Sequence, residues 1–188
     1  MSISARFTSK DLDWLPAVEG IRYEIVDGDL YVSKQPHWHH QYTSDRIARR
    51  LHDWNDRTGL GIALTVPGLV FSEENDVIPD VVWISRPRLD AVADAAGHLR
   101  AAPELVAEVL SLGRENERRD REVKLGLYER QGVQEYWIVD WRQQAVDVYR
   151  RIDGALTLVA TLTGADVLTT PLLPGFACPL SDLWEPSR

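Results

Sequence analysis

The apolar run ELVAEVL at residues 104–110 constrains the fold of this chain more than any other feature. It is short, nearly continuous and bounded by a proline and a glycine, which is typical of a strand buried on both faces of a sheet. Glu108 interrupts the run, and alternation along a strand places it on one face between Val106 and Leu110. A buried ionised carboxylate is costly unless it is paired, hydrogen-bonded or bound to a cation. Glu108 therefore indicates either a structural ion pair or a functional site.

Hydrophobic periodicity and turn residues divide the rest of the chain into helices and strands. Helices are predicted over residues 8–16, 40–54 and 116–131, strands over 61–66, 68–72, 81–85 and 134–140, and an irregular alanine-rich insert over 86–103. Hairpins are predicted around Asp27-Gly28 and Asp153-Gly154, because Asp-Gly tolerates positive φ at both centres of a type I′ turn. The register of the first hairpin, within residues 22–34, places Glu24 opposite Tyr31.

No internal repeat or linker divides the 188 residues, so one domain is predicted over residues 1–188. The single cysteine, Cys178, cannot form an internal disulfide, which favours a reducing compartment. The N-terminus does not have the form of a signal peptide, and no stretch reaches about 18 apolar residues. We therefore expect a cytoplasmic protein with no membrane partner.

The balance of charged residues limits how the chain can bind nucleic acid. A formal net charge of −8 opposes nonspecific adhesion to a polyanion unless basic residues cluster on one face. It does not exclude an enzyme whose acidic site holds cations, because a bound metal changes the local sign of the charge.

Two further acidic residues are candidates for such a site. Asp80 follows Pro79 and opens the apolar strand VVWIS, so its carboxylate lies at a strand mouth, although Pro-Asp is also common turn chemistry. Glu24 lies on one face of the first hairpin, and glutamates on hairpins most often occupy the solvated side of a sheet. If both converge with Glu108, their oxygens would suit Mg²⁺, which prefers octahedral oxygen ligands.

The predicted helix over 116–131 carries Asp120, Lys124 and Tyr128 at spacings of four, which places them on one face. Lys124 either reaches a neighbouring strand or forms a surface ion pair with Asp120.

Other chemistries find little support in the sequence. His37, His39 and His40 cluster before the second helix, but without cysteines or further histidines nearby they indicate a polar helix start rather than a zinc site. The sequence contains no G-x-S-x-G elbow, no Walker-type phosphate loop and no G-x-G-x-x-G turn, which argues against those enzyme classes.

Six segments, in this order, carry a resemblance to a known family: YEIVDGDLYV, His40-Gln41, IPDVVWIS, PELVAEVLS, RRD-x-x-VK-x-x-LY-x-x-x-GV-x-EYWIVD and LLPGF. Together they resemble the Uma-two family of restriction-endonuclease-like proteins, within the PD-(D/E)XK phosphodiesterase superfamily, over nearly the whole chain. The resemblance implies an α/β (α+β) fold with a restriction-endonuclease-like core, a central mixed β-sheet flanked by helices. Its strands would include those near residues 22–34, 61–72, 80–85, 104–110 and 134–140.

The resemblance also implies a metal site. Asp80 matches the acidic residue of the family's first half-motif, Glu108 that of the second, and Glu24 the upstream carboxylate. These three residues are thus expected to be catalytic metal ligands for Mg²⁺, with Mn²⁺ as a possible substitute.

The remaining roles follow from the helix. The superfamily's usual lysine, two residues after the second acid, is absent here because that position is Leu110. Lys124 matches a helix lysine that substitutes for it in the family, and it is expected to orient the attacking water or stabilise charge on phosphorus. His40 and Tyr128 match accessory positions.

The resemblance therefore predicts a metal-dependent endonuclease that hydrolyses phosphodiester bonds, with DNA as substrate and a homodimer as assembly. The alternative is a catalytically inactive nuclease-fold module for binding or dimerisation, favoured by the missing proximal lysine and the negative charge. A third hypothesis is a phosphodiesterase acting on RNA or a small nucleotide.

Overall fold

The structure, a computed structural model, describes residues 6–185. Its helices are α1 (Ser9–Leu12), α2 (Trp38–Thr58), α3 (Arg86–Val92), α4 (Arg114–Arg118) and α5 (Leu125–Gln131), with a π-helical turn at Arg119–Lys124 and a 3₁₀ turn at Leu180–Asp182. Its strands are β1 (Arg22–Val26), β2 (Asp29–Ser33), β3 (Gly61–Thr65), β4 (Leu69–Ser72), β5 (Asn75–Val77), β6 (Val81–Ser85), β7 (Leu105–Val109), β8 (Glu135–Asp140), β9 (Ala145–Ile152), β10 (Ala155–Thr163), β11 (Val167–Leu168) and β12 (Cys178–Pro179).

A six-stranded sheet in the order β10-β9-β8-β7-β6-β3 forms the centre of the fold. Strands β7 and β8 are parallel, whereas their neighbours in this sheet pair antiparallel. The crossover from β7 to β8 consists of α4, the π-helical turn and α5. Every residue of β7 is buried, which confirms the interior strand predicted from the apolar run. The mixed sheet flanked by helices confirms the predicted fold class.

A second sheet in the order β2-β1-β5-β4 corrects one detail of the prediction. The strands near 22–34 and 61–72 were expected in the central sheet, but only β3 belongs to it. The chain leaves that sheet after β3 because Val66 has a φ of 53° and Pro67-Gly68 follows. Strand β5 was not predicted, because its sequence NDV lacks an apolar pattern.

The two Asp-Gly hairpins form as predicted. Asp27 and Gly28 have φ of 50° and 80°, and Asp153 and Gly154 have φ of 50° and 89°. These paired positive values are those of a type I′ turn. The register predicted for the first hairpin is confirmed, because Glu24 pairs with Tyr31.

Apolar layers cover both faces of the central sheet. On one face, Ile47, Leu51 and Trp54 of α2 pack against the sheet together with residues near the C-terminus. On the other face, Leu127 and Tyr128 of α5 share a core with residues of the second sheet. The side chain of Glu108 lies on this second face, because Val106 and Leu110, two residues before and after it, belong to that core.

The predicted helices differ from the observed ones in extent. Helix α1 covers only Ser9–Leu12 of the predicted 8–16, and none of its residues is buried, so no packing extends it. Helix α2 is longer than predicted and ends before Gly59, whose φ is 66°. The predicted helix over 116–131 is divided by the π-helical turn, and the insert over 86–103 contains α3.

Among the described residues, no helix is both long enough and apolar enough to cross a membrane. The single domain over residues 1–188 stays a prediction, and its ends, residues 1–5 and 186–188, lie outside the described part.

Candidate active site

The buried ammonium group of Lys124 joins two of the predicted carboxylates. Its Nζ lies 2.8 Å from Oε1 of Glu24 and 2.9 Å from Oε1 of Glu108. Lys124 therefore reaches neighbouring strands, the first of the two alternatives for its role. Its Nζ also lies 3.9 Å from Oδ1 of Asp120, so that contact exists but is the longest of the three. Tyr128 donates a hydrogen bond of 2.8 Å to Oε1 of Glu108.

Glu24 is buried, in contrast to the solvated position that is usual for a glutamate on a hairpin. Only 3% of its surface is exposed. Its Oε1 also accepts a 2.9 Å hydrogen bond from the backbone N–H of Ile78, and its Oε2 lies 3.7 Å from Nη1 of Arg119. The second sheet thus brings Glu24 to the crossover that carries Lys124.

Asp80 and Glu108 are neighbours because β6 and β7 pair with Val81 opposite Ala107. The backbone N–H of Asp80 donates to Oε2 of Glu108 at 3.3 Å. In return, the backbone N–H of Val109 donates to Oδ2 of Asp80 at 2.9 Å. The two carboxylates are therefore fixed by main-chain groups of two adjacent strands.

His40 contacts Asp80 from helix α2. Its Nε2 lies 3.1 Å from Oδ2 of Asp80, and its buried Nδ1 has no hydrogen-bond partner among the described residues. The structure thus gathers all six residues singled out in the sequence, namely Glu24, His40, Asp80, Glu108, Lys124 and Tyr128, around one cleft. Their catalytic roles stay predictions.

Arg119 was missed as a site residue. Its Nε donates to Oδ1 of Asp120 at 3.2 Å and its Nη1 donates to Oγ of Ser33 at 2.5 Å, and only 7% of its surface is exposed. The charges of the stretch 114–124 nearly cancel, with five basic side chains against four acidic ones, so the stretch did not indicate a phosphate-binding patch. No local signal marked it, because Arg119 lies five residues before Lys124, a spacing that places the two side chains on different faces of an ordinary α-helix.

The π-helical turn explains how consecutive residues of one segment face the same cleft. A wider turn brings Arg119, Asp120 and Lys124 inward together, and all three are buried. The hydroxyl of Tyr136 on β8 donates to the backbone oxygen of Asp120 at 2.9 Å, which holds this turn against the central sheet. Periodicity alone predicted an ordinary helix because the deviation depends on this tertiary contact.

The carboxyl groups differ in pKa because their partners differ. Burial raises the pKa of Glu108 from 4.5 to about 8, against the attraction of Lys124 and with the repulsion of Asp80 in support. Burial also opposes ionisation of Asp80, but the hydrogen bond and charge of His40 outweigh it and lower its pKa. Burial would lower the pKa of Lys124, yet Glu108 and the other carboxylates raise it above its usual value, so Lys124 stays charged.

The cleft offers a divalent cation oxygen donors. Four buried carboxyl groups, those of Glu24, Asp80, Glu108 and Asp120, line it beside four cationic side chains, of which those of Arg119 and Lys124 are buried. Oε2 of Glu108 accepts a single long hydrogen bond, of 3.3 Å from the backbone N–H of Asp80. Oδ1 of Asp80 lies 3.6 Å from Nη1 of Arg22. The cavity, of about 30 Å³, has room for one or two water-sized species. Asp80 and Glu108 are thus the oxygen donors best placed to hold the ion.

The three predicted ligands do not, however, form a finished metal cage. Within residues 6–185, no group of three or more His, Cys, Asp or Glu side chains is already spaced to hold a metal ion. Lys124 lies between Glu24 and Glu108 and takes up part of their charge. Coordination of a metal ion by Glu24 therefore stays a prediction. It requires the carboxylate of Glu24 to bind the metal ion and Lys124 at the same time.

The raised pKa of Glu108 has a measurable consequence for stability. Between pH 4.5 and about 8, the folded protein holds a proton on Glu108 that the unfolded chain has released. The stability contributed by this proton is complete below pH 4.5 and is lost as the pH rises towards 8. Without divalent cations, we expect the free energy of unfolding in urea to fall over this range, and to fall less in Glu108→Gln. The same pH slope in both proteins would contradict the assignment.

The chain is similar to known proteins in sequence and in structure. The model of the family Uma2, described as "Putative restriction endonuclease", matches residues 10–181. A solved structure described as "a putative nuclease belonging to DUF820 from Anabaena variabilis" is similar with a TM-score of 0.73 and 17% identity, over 95% of this chain and 97% of that chain. This similarity shows a shared fold and confirms the restriction-endonuclease-like core. Among curated proteins, none matches the sequence.

Proposed function

Because the chain belongs to the Uma2 family, as the sequence predicted, we propose that it is a Mg²⁺-dependent endonuclease that hydrolyses phosphodiester bonds in DNA. The observation that carries the proposal is the buried cluster in which Lys124 contacts Glu24 and Glu108 while Asp80 lies beside Glu108. Carboxyl groups supplied by two adjacent strands are suited to a metal that acts on phosphate.

Asp80 and Glu108 would hold the ion. When bound, Mg²⁺ supplies a Lewis acid that polarises the phosphate and lowers the pKa of an attacking water. Because ligands must be ionised, binding also requires the proton on Glu108 to leave. The backbone N–H of Val109 and the side chain of His40 keep Asp80 in place for this role.

Lys124 supplies the positive charge of the site. An ammonium group has three donors, and Glu24 and Glu108 each lie within hydrogen-bond distance of it, which leaves one donor for a water or a phosphate oxygen. Held in a buried site, such a donor stabilises negative charge that develops in the transition state. Tyr128, which donates to the same oxygen of Glu108 as Lys124, keeps that carboxylate oriented.

Plasmid cleavage with and without metal tests the proposal. We expect the purified protein to nick or linearise supercoiled DNA in Mg²⁺ or Mn²⁺, and to leave it intact in excess EDTA. No cleavage under either condition would contradict the proposal and favour the noncatalytic module. Cleavage of RNA in preference to DNA would overturn the substrate assignment. The sequence also predicted a homodimer and a cytoplasmic location, and both stay proposals. Light scattering tests the homodimer.

A further inference from the structure

A second groove opens directly from the acidic cleft. It has a volume of about 440 Å³ and lies between residues 32–37 on one side and Ser111, Leu112 and Asn116 on the other; we call it the side groove. Its volume is in the range of small-ligand sites. Ser33, Lys34, Pro36 and Ser111 line both the side groove and the cleft, so the two form a continuous path.

The side groove differs from the cleft in its charged residues. No acidic residue among residues 6–185 lines it, although the chain contains 29 Asp and Glu residues. Lys34 is its cation, and this lysine makes no ion pair with any residue in the range 6–185. A polyanionic chain with one phosphate in the cleft would therefore be attracted by Lys34 along this path and would contact no carboxylate in the side groove.

Apolar and aromatic side chains form part of the walls of the side groove, beside polar ones. Val32 and Leu112 line it and are 53% and 52% exposed. They offer contact to a flat apolar surface rather than to a phosphate.

The ring of His37 is held rigidly in the wall of the same groove. It stacks on His39 at 5.0 Å with an interplanar angle of 5°, and on Trp141 at 5.0 Å and 13°. Its Nδ1 accepts a 3.2 Å hydrogen bond from the backbone N–H of His39. Trp141 in turn donates to the backbone oxygen of Leu110, directly after β7. The wall is thus anchored to the strand that carries Glu108.

From these observations we propose that the side groove binds an unpaired nucleotide of a DNA single strand next to the phosphate in the cleft. The inference rests on the proposed function and adds the form of the substrate. Within a duplex, the faces of a base are covered by its stacked neighbours and only the edges are accessible in the grooves. Apolar walls and a stacking ring therefore favour a base whose face is free, with Lys34 near its phosphate.

Binding without turnover tests this inference. Fluorescence anisotropy of labelled oligothymidylate is measured in EDTA at low salt, so that cleavage plays no part. We expect Leu112→Glu to weaken binding about tenfold or more, through lost apolar contact and charge repulsion. His37→Asn, which keeps an acceptor at the helix start but removes the ring, should weaken binding by at least about fivefold.

The matched control is Leu158→Glu, the same change on strand β10 at a leucine that is 48% exposed. It should bind like the wild type, and thermal unfolding should confirm that all variants are folded. Equal binding by Leu112→Glu and Leu158→Glu, or tighter binding of a duplex of the same length than of the single strand, would overturn the inference. The wild type could also bind the single strand and cleave no DNA. If Leu112→Glu then lost this binding and Leu158→Glu did not, the side groove would be supported and the proposed nuclease activity would be contradicted.

Discussion

Replacement of Lys124 by methionine is expected to lower the free energy of unfolding by about 3–5 kcal/mol in metal-free buffer. Methionine keeps the length of the side chain but leaves the buried carboxylate of Glu24 without the ammonium that lies 2.8 Å from it. An uncompensated buried charge is far more costly than the net value of the pair. Urea unfolding followed by circular dichroism at neutral pH measures the loss.

Two further variants separate this effect from the loss of any lysine. Lys10→Met removes an ammonium that is paired with Glu73 at the surface and is 76% exposed, so it should change stability by less than about 0.5 kcal/mol. Combining Lys124→Met with Glu24→Gln should restore part of the stability, because the stranded carboxylate is then replaced by a neutral amide. No recovery in the double variant would show that Lys124 acts by packing alone.

Asp80→Asn is expected to reduce Mg²⁺-dependent DNA cleavage by about 10³-fold or more, because a loss of several kcal/mol of metal-derived stabilisation corresponds to that factor. The fold should survive, since an amide oxygen can still accept the hydrogen bond that Val109 donates to Asp80. Initial rates of plasmid nicking, measured on variants with unchanged thermal unfolding, provide the comparison.

Asp153→Asn is the control for this change. Asp153 is exposed in the distant β9–β10 turn with a φ of 50°, a conformation that asparagine tolerates. Its cleavage rate should equal that of the wild type. If Asp80→Asn cleaved as fast as Asp153→Asn, the activity would belong to a contaminating nuclease and the proposed site would fail.

The sequence predicted the central part of the fold because its signals there are local. The apolar run with Glu108 forms the fully buried strand β7, and the Asp-Gly turns determine two hairpins and the pairing of Glu24 with Tyr31. The convergence of six site residues was anticipated through the resemblance to the family. Composition and spacing alone left Glu24 and Asp80 with ordinary structural explanations.

What the sequence did not predict depends on tertiary contacts. Whether β1 and β2 join the central sheet or a second one is decided by the path of the chain after Val66, which no periodicity records. The π-helical turn is held by the contact between Tyr136 and the backbone of Asp120, which joins residues far apart in the sequence. The burial of Arg119 follows from that turn, and so it too was missed.

The bridge that Lys124 makes between Glu24 on β1 and Glu108 on β7 ties the two sheets together at the cleft. The cluster can therefore be complete only after the crossover that follows β7 has been synthesised and the second sheet has packed against the central sheet. A nascent chain that has emerged from the ribosome only as far as β6 carries Asp80 but neither Glu108 nor Lys124. On the proposed function, partly made or half-folded copies are harmless to cellular DNA, and the capacity to cut appears as one of the last events of folding.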